Sequence, residues 1–435
     1  MKLEVFQASK GDCLLLTSDG GTRVLVDGGM DDAYPKHIAP AMGRLRERGE
    51  KLDLLYVSHI GDDHIGGVLE LLNDEVDWRV FEFQKDVAGN PDPKPPRAPR
   101  PPAIDHIWHN AFNMQLGREN TRRIEDALSA SAALFAASTR TADLREAARL
   151  RELATGVTAA LRVSHRVSGD QLDIPLNRHF GGDLAMEGVM EDPIAIGSLK
   201  VTVIGPSRQN IDNLRKWWDD WVNDVDNRDK LAKVREDMKD DARRLDTGGV
   251  EDFGSAIEER ALEFSDGTTK RLTKREKITE PNLASLMLYV QCDGKNVLLT
   301  GDGAGEDILA GLERATVIED GGRLHVDVLK VQHHGATANV QKDFCERVTA
   351  DHYVLCGNGD HQNPEPDVLN RIIDSRTDAR HFKLWFNSSV AVCGTETREK
   401  HMAKVEKLVR ERADDSGGRM KYRFLERGHS FALTP

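Results

Sequence analysis

Between Ser58 and Gly67 the chain reads Ser-His-Ile-Gly-Asp-Asp-His-Ile-Gly-Gly. Two imidazoles, His59 and His64, and the carboxylate of Asp63 fall within six residues there. Imidazole nitrogen and carboxylate oxygen are the donors that zinc, manganese and iron take, so the chemistry on offer is metal binding. Such side chains need an element that aims them at one point. The preceding apolar run Leu54-Leu55-Tyr56-Val57 reads as a buried strand, which places His59 on the turn at its end. Gly66-Gly67 then lets backbone and a helix start approach closely.

Three further runs repeat the design: Leu25-Val26-Asp27-Gly28-Gly29, Leu298-Leu299-Thr300-Gly301-Asp302-Gly303 and Leu329-Lys330-Val331-Gln332-His333-His334-Gly335. Each is a hydrophobic strand that delivers Asp or His at its C-terminal tip. One such tip is a weak signal. Four, drawn from distant parts of the chain, argue for one assembled site.

In this order the motifs resemble those of metallo-β-lactamase-fold hydrolases, and most closely the branch containing the nuclease domain of the DNA-uptake protein ComEC/Rec2. The matching fragments are Gly11-Asp12, Asp27-Gly28-Gly29, Ser58 to Gly67, Asn282 to Ser285, Thr300-Gly301-Asp302 and His333-His334-Gly335, with two long unmatched insertions between them. The resemblance implies an α/β fold, a four-layered αββα sandwich with helical insertions. It implies one or two divalent cations, Zn²⁺ or Mn²⁺: His59 on the first, Asp63 and His64 on the second, Asp302 bridging, and His334 or its neighbour His333 completing the ligands of the second. Two such ions about 3.5–4 Å apart activate water and clamp a phosphoryl or carbonyl oxygen. Asp27 is expected behind the metal loop as an acceptor that orients ligands. His361 is expected beside the substrate as a phosphate contact or general acid. Asp63, His361 and Asp27 are thus the catalytic candidates.

The chain also departs from this pattern. Many members carry a second His two residues after the first, and the ComEC-like branch often has Asp; here the residue is Gly61. A later His of the first metal is also missing, with Asn282 or Ser285 nearby. Asp62 is one substitute, and His106 or His109 from the insertion another. If the position is an open vacancy, Gly61→His or Gly61→Asp should raise metal stoichiometry.

The 435 residues are 39% hydrophobic and 31% charged, which indicates a globular chain, and no run of about 18 apolar residues predicts a membrane span. The start lacks the apolar core of a signal peptide, and five scattered cysteines without a C-x-x-C pair fit a reducing cytoplasm. The net charge of −13 argues against a protein that holds duplex DNA by its overall field. The expected organisation is a single domain over 1–435. One insertion, 86–198, holds a basic Pro-rich loop (Lys94, Arg97, Arg100) and an amphipathic helix within 118–160. A second, charged helical insertion, 207–280, carries Trp217, Trp218 and Trp221.

Three functional readings follow. The first is a metal-dependent hydrolase of phosphodiesters, a nuclease acting on nucleic acid, with an effector of phage defence as one such role. The second is a non-catalytic scaffold or regulatory subunit that meets a homodimer mate or protein partner through the insertions. The third is a hydrolase of a non-nucleic ester or lactone. Lys330 and Asn339 flank the site as candidate anion contacts.

Overall fold

The computed structural model describes residues 1–110, 159–223 and 280–435, excepting the side chains of 217–223 and 280–281. The amphipathic helix expected within 118–160 falls almost wholly outside the described residues. So does most of the charged insertion, together with the side chains of Trp217, Trp218 and Trp221.

Among the described residues two sheets form. The first contains β1 (Lys2–Phe6), β2 (Leu14–Thr17), β3 (Arg23–Val26), β4 (Leu54–Val57), β5 (Ile107–His109) and β14 (Ser430–Leu433), in the order β14-β1-β2-β3-β4-β5. The second contains β6 (Ile194–Ile196), β7 (Leu199–Gly205), β8 (Met287–Cys292), β9 (Lys295–Leu299), β10 (Leu324–Lys330), β11 (Val348–Leu355), β12 (Phe382–Phe386) and β13 (Met420–Phe424), in the order β13-β12-β11-β10-β9-β8-β7-β6.

Alternation along the strands decides the layering, because successive side chains point to opposite faces. Leu14 and Leu16, Leu54 and Tyr56 from the first sheet share one core with Leu288, Val290, Val297 and Leu299 from the second. The intervening Leu15, Leu55 and Val57 turn the other way, onto Met42 and Leu45 of α1 (Ala39–Glu47) and Ile65, Val68 and Leu72 of α2 (Asp62–Asp86). Tyr289, Leu298 and Leu384 likewise face a second helix layer. It comprises α4 (Gly305–Arg314), α5 (Lys342–Arg347), α6 (Pro366–Ser375) and α7 (Glu396–Asp415), with α3 (Arg208–Asn223) lying earlier in the chain. The result is the αββα sandwich. Full burial of each such apolar side chain is worth about 1.5–3 kcal/mol, so a one-residue slip of a strand is strongly disfavoured.

β3, β4 and β5 run parallel, as do β9 through β13. Their C-terminal ends therefore carry Asp27, His59, Asp302 and His334 out on loops, the usual place for a site on parallel strands. α2 begins directly at the metal loop, with Asp62 and Asp63 in its first turn, where the exposed N–H groups favour carboxylates.

The segment 86–198 is less of an insertion than its composition suggests. β5 completes the first sheet and β6 the second, and Ala160 and Val163 of the helical stretch 159–167 are buried in the first helix-side core. Strands of three residues are too short to show a period. The Pro-rich loop is extended but anchored: Pro101 and Pro102 are buried, and Arg100 pairs with Glu75 and Glu82 of α2, which commits its charge within the protein. All five cysteines are free and buried. No described helix is long and apolar enough to cross a membrane.

The two Gly-Gly pairs meet back to back. Gly28 N donates to His64 O at 2.8 Å, and Gly67 N donates to Gly29 O at 2.9 Å. A Cβ on Gly67 would lie 2.0 Å from the Gly28 carbonyl oxygen, and one on Gly28 would lie 2.2 Å from Val68 N. Both obstacles are backbone, which cannot rotate away. We expect Gly67→Ala to cost about 1–3 kcal/mol of unfolding free energy, read from the urea midpoint at unchanged slope.

Candidate metal centre

Asp302 stands at the middle of the site. Its Oδ1 lies 3.3 Å from His64 Nε2, and its Oδ2 lies 3.7 Å from His59 Nε2, 3.7 Å from His333 Nε2 and 3.8 Å from His334 Nε2. Asp63 joins from α2, with Oδ2 at 3.0 Å from His334 Nε2 and Oδ1 at 3.9 Å from His64 Nε2. The first sheet contributes His59, Asp63 and His64; the second contributes Asp302, His333 and His334. The four strand tips converge on one place.

What turns these nitrogens inward lies behind them. His64 Nδ1 is 2.9 Å from Asp27 Oδ2, and the Ser58 amide and hydroxyl each donate to Asp27 at 2.7 Å. His334 Nδ1 donates to the Cys356 carbonyl at 2.7 Å and is 3.2 Å from Asp12 Oδ1. With Nδ1 committed as a donor, Nε2 is left as the ligating nitrogen. Several residues that do this adopt positive φ, costly for a side-chain-bearing residue: Asp27 at 56°, His333 at 46° and His334 at 55°. Ser285 Oγ accepts from the Asp302 amide at 3.2 Å, and Asn282 Nδ2 reaches His333 Nε2 at 3.3 Å.

Charge follows the same layout. Burial alone would raise every carboxyl here, yet Asp63 and Asp302 are held well below the usual range by the surrounding imidazoles. Burial opposes charge on His64 too, but Asp302, Asp12, Asp27 and Asp63 raise its pKa well above the ordinary value. His334 is raised to about 9 against burial, by Asp302 and Asp12. His59 goes the other way, down to about 3, through burial and the neighbouring His64. Burial likewise raises Asp27.

The donor set fits a divalent cation. His64 Nε2 and Asp302 Oδ1 are fully buried, have no hydrogen-bond partner among the described residues, and face one another. Unpaired buried polar atoms are rare and costly, and a cation satisfies both. Two sets of donors lie within mutual reach: His59, Asp63 and His64, and Asp12, His64, Asp302 and His334. Asp12 is the exception within the second, since it is already ion-paired with the Lys330 ammonium and sits on the Nδ1 side of both imidazoles. It belongs with Asp27 as an orienting carboxylate. Its motif, Gly11-Asp12, was visible in the sequence, but its place behind His334 was not.

Other expectations change. Lys330 and Asn339 do not face an incoming anion. Lys330 is buried against Asp12, and Asn339 is spent on the Asp302 carbonyl (2.8 Å) and His333 Nδ1 (2.7 Å). His109 supplies no ligand. It pairs in register with Val57 on the helix-facing side of β5, against Ala160, and burial lowers its pKa to about 4. His106 meets His179 edge to face instead. Asp62 is in neither converging set. His361 lies exposed on the turn Asp360–Gln362, in a loop whose Pro364 packs on Gly335 and whose Gly357 packs on His334.

The metallo-beta-lactamase superfamily model matches residues 8–77, the stretch that carries Asp12, Asp27, His59, Asp63 and His64. The chain has the metallo-β-lactamase fold, with its site at the shared edge of the two sheets. No curated protein matches it.

Gly61 is more than a vacancy. A Cβ there would meet His59 Nε2 at 2.5 Å and Asp63 Oδ1 at 2.9 Å. A side chain at this position therefore displaces ligands before it can add one. Gly61→Ala should weaken Mn²⁺ binding at least about tenfold, the loss expected for a disturbed ligand shell, in competition with a fluorescent chelator. pH acts through His64 and His334, both raised above the ordinary imidazole value. A protonated imidazole cannot ligate, so cation affinity should rise by about tenfold per pH unit per displaced proton, His334 contributing up to about pH 9. Cation-free protein should behave oppositely: the stabilisation from charged His334 is complete below its ordinary value of 6.5 and lost as pH rises through about 9. Denaturant midpoints with and without Mn²⁺ between pH 6 and 9 check both signs.

Proposed function

We propose that the protein is a metal-dependent hydrolase that cleaves phosphodiesters, with nucleic acid as the substrate class. The observation that carries the hydrolase reading is the convergence, from both sheets, of Asp63, Asp302 and the Nε2 atoms of His59, His64 and His334, with His64 Nε2 and Asp302 Oδ1 buried without a hydrogen-bond partner among the described residues. Mn²⁺ or Zn²⁺ bound there would lower the pKa of water and polarise a phosphoryl or carbonyl oxygen.

The chain's own groups define the rest. Asp302 and Asp63 are kept ionised by the imidazoles around them, so both remain acceptors at neutral pH. Asp63 is the less enclosed of the two, with its side chain 19% exposed against 3% for Asp302, and so lies nearer an entering substrate. Asp27 and Asp12 hold His64 and His334 in the orientation that presents Nε2. His361, exposed on the adjoining loop, is the proposed proton donor to the leaving oxygen. The phosphodiester class is supported by the likeness to nuclease-domain motifs and by Lys10, whose charge reaches Asp63 from the loop that carries Asp12.

Metal analysis joined to an assay separates this reading from a scaffold. Purified protein should take up Mn²⁺ or Zn²⁺ and cleave bis-p-nitrophenyl phosphate. Asp63→Ala should abolish cleavage and weaken uptake, while the far-UV spectrum stays unchanged. A wild type that binds no cation and behaves like Asp63→Ala would support a non-catalytic protein. Hydrolysis of p-nitrophenyl acetate without the diester would move the substrate to carboxylic esters.

A further inference from the structure

Lys330 is a buried charged side chain that the proposed reaction does not use. It is 2% exposed, and its ion-pair partner Asp12 is 1% exposed. A buried lysine is rare without a reason, since removing an ammonium from water is costly unless it is paired.

Its neighbours give that reason. Asp12 lies on the β1–β2 loop of the first sheet, whereas Lys330 ends β10 in the second, so the ion pair crosses between the sheets at the edge that holds the site. Lys330 Nζ also donates to the Gly301 carbonyl at 3.3 Å, one residue before Asp302. The Lys330 carbonyl accepts from Thr300 Oγ1 at 2.7 Å. On the other side, Asp12 reaches His334 Nδ1 at 3.2 Å and His64 Nδ1 at 3.8 Å through its two oxygens. One ammonium thus connects the loop of Asp302, the strand that leads to His334 and the carboxylate between the two imidazoles. His64 and His334 come from different sheets, and the structure joins their rear faces through Asp12.

We propose that the Lys330–Asp12 ion pair is a clamp that sets the spacing of the two half-sites, with Lys330 a positioning residue for cation binding rather than a ligand or substrate contact. The alternative is a purely structural pair that holds the sheets together and leaves the ligand geometry to the strands. The pair also explains why Asp12, in a group of four converging donors, stays out of the coordination set: its negative charge is already committed.

The inference rests on the cation site proposed above, and the test separates the two. Mn²⁺ affinity is measured on the full chain by chelator competition, and folding by far-UV spectrum and thermal midpoint. Lys330→Met leaves Asp12 buried without its counter-charge and should destabilise the fold. The informative protein is therefore Lys330→Met with Asp12→Asn, which removes both charges and keeps both shapes. We expect this double variant to fold with a thermal midpoint near wild type and to bind Mn²⁺ at least tenfold more weakly. A stable double variant whose affinity stays within threefold of wild type, or exceeds it, overturns the clamp. A double variant that does not fold also counts against it, because the pair is then holding the fold rather than the ligand spacing. A wild type that binds neither Mn²⁺ nor Zn²⁺ is a different failure, that of the cation site itself.

Discussion

An imidazole has two nitrogens, and only one of them can face a cation while the other is held from behind. The centre depends on that division. Asp27 holds His64 from the rear, and Cys356 O with Asp12 holds His334. The forward nitrogens of both rings then meet Asp302 and Asp63. Without the rear contacts each ring could flip or change tautomer, and Asp63 and Asp302 would be left crowded with no ordered cationic partner. The unusual backbone angles at Asp27, His333 and His334 are the local cost of this orientation, which the packed sheets around them offset.

The sandwich supplies the rigidity. His59, Asp302 and His334 sit two to four residues beyond the end of a buried strand, so the register of β4, β9 and β10 fixes where those side chains emerge, while Asp63 and His64 follow in the first turn of α2. The close contact of Gly28 with Gly67 brings the Asp27 loop against the first turns of α2, which is why Asp27 can reach His64 across 37 residues of chain. Glycine is needed there because backbone touches backbone, a different demand from that at Gly61, where the space is taken by ligand atoms.

Much of this was legible in the sequence, for a physical reason. Asp27, His59, Asp63, His64, Asp302 and His334 each stand beside an apolar run, and a buried parallel strand advertises itself as a continuous hydrophobic stretch. The layering of the fold was expected from the family resemblance that these motifs carry. What stayed hidden depends on pairing across the chain. Nothing local to Lys330 says that its ammonium is buried against Asp12, because a lysine beside a site reads equally well as a hand for an anion. His109 has the right chemistry but the wrong face, and face is decided by a register with Val57 that three residues cannot reveal. β5 and β6 were absorbed into an apparent insertion because their partners, not their composition, make them strands.

The last strand closes the first sheet: β14 lies beside β1, with Leu433 opposite Leu3. A ribosome must therefore deliver almost all of the 435 residues before the opening strand gains its outer neighbour. Asp302 and His334 likewise emerge long after His64. During synthesis the nascent N-terminal half carries imidazoles and carboxylates with no complementary half to complete the cluster, so a cation held by both halves could load only after His334 has emerged. Pairings this distant also make for slow folding, and the growing chain has an unsatisfied strand edge to shield until Ser430–Leu433 appear.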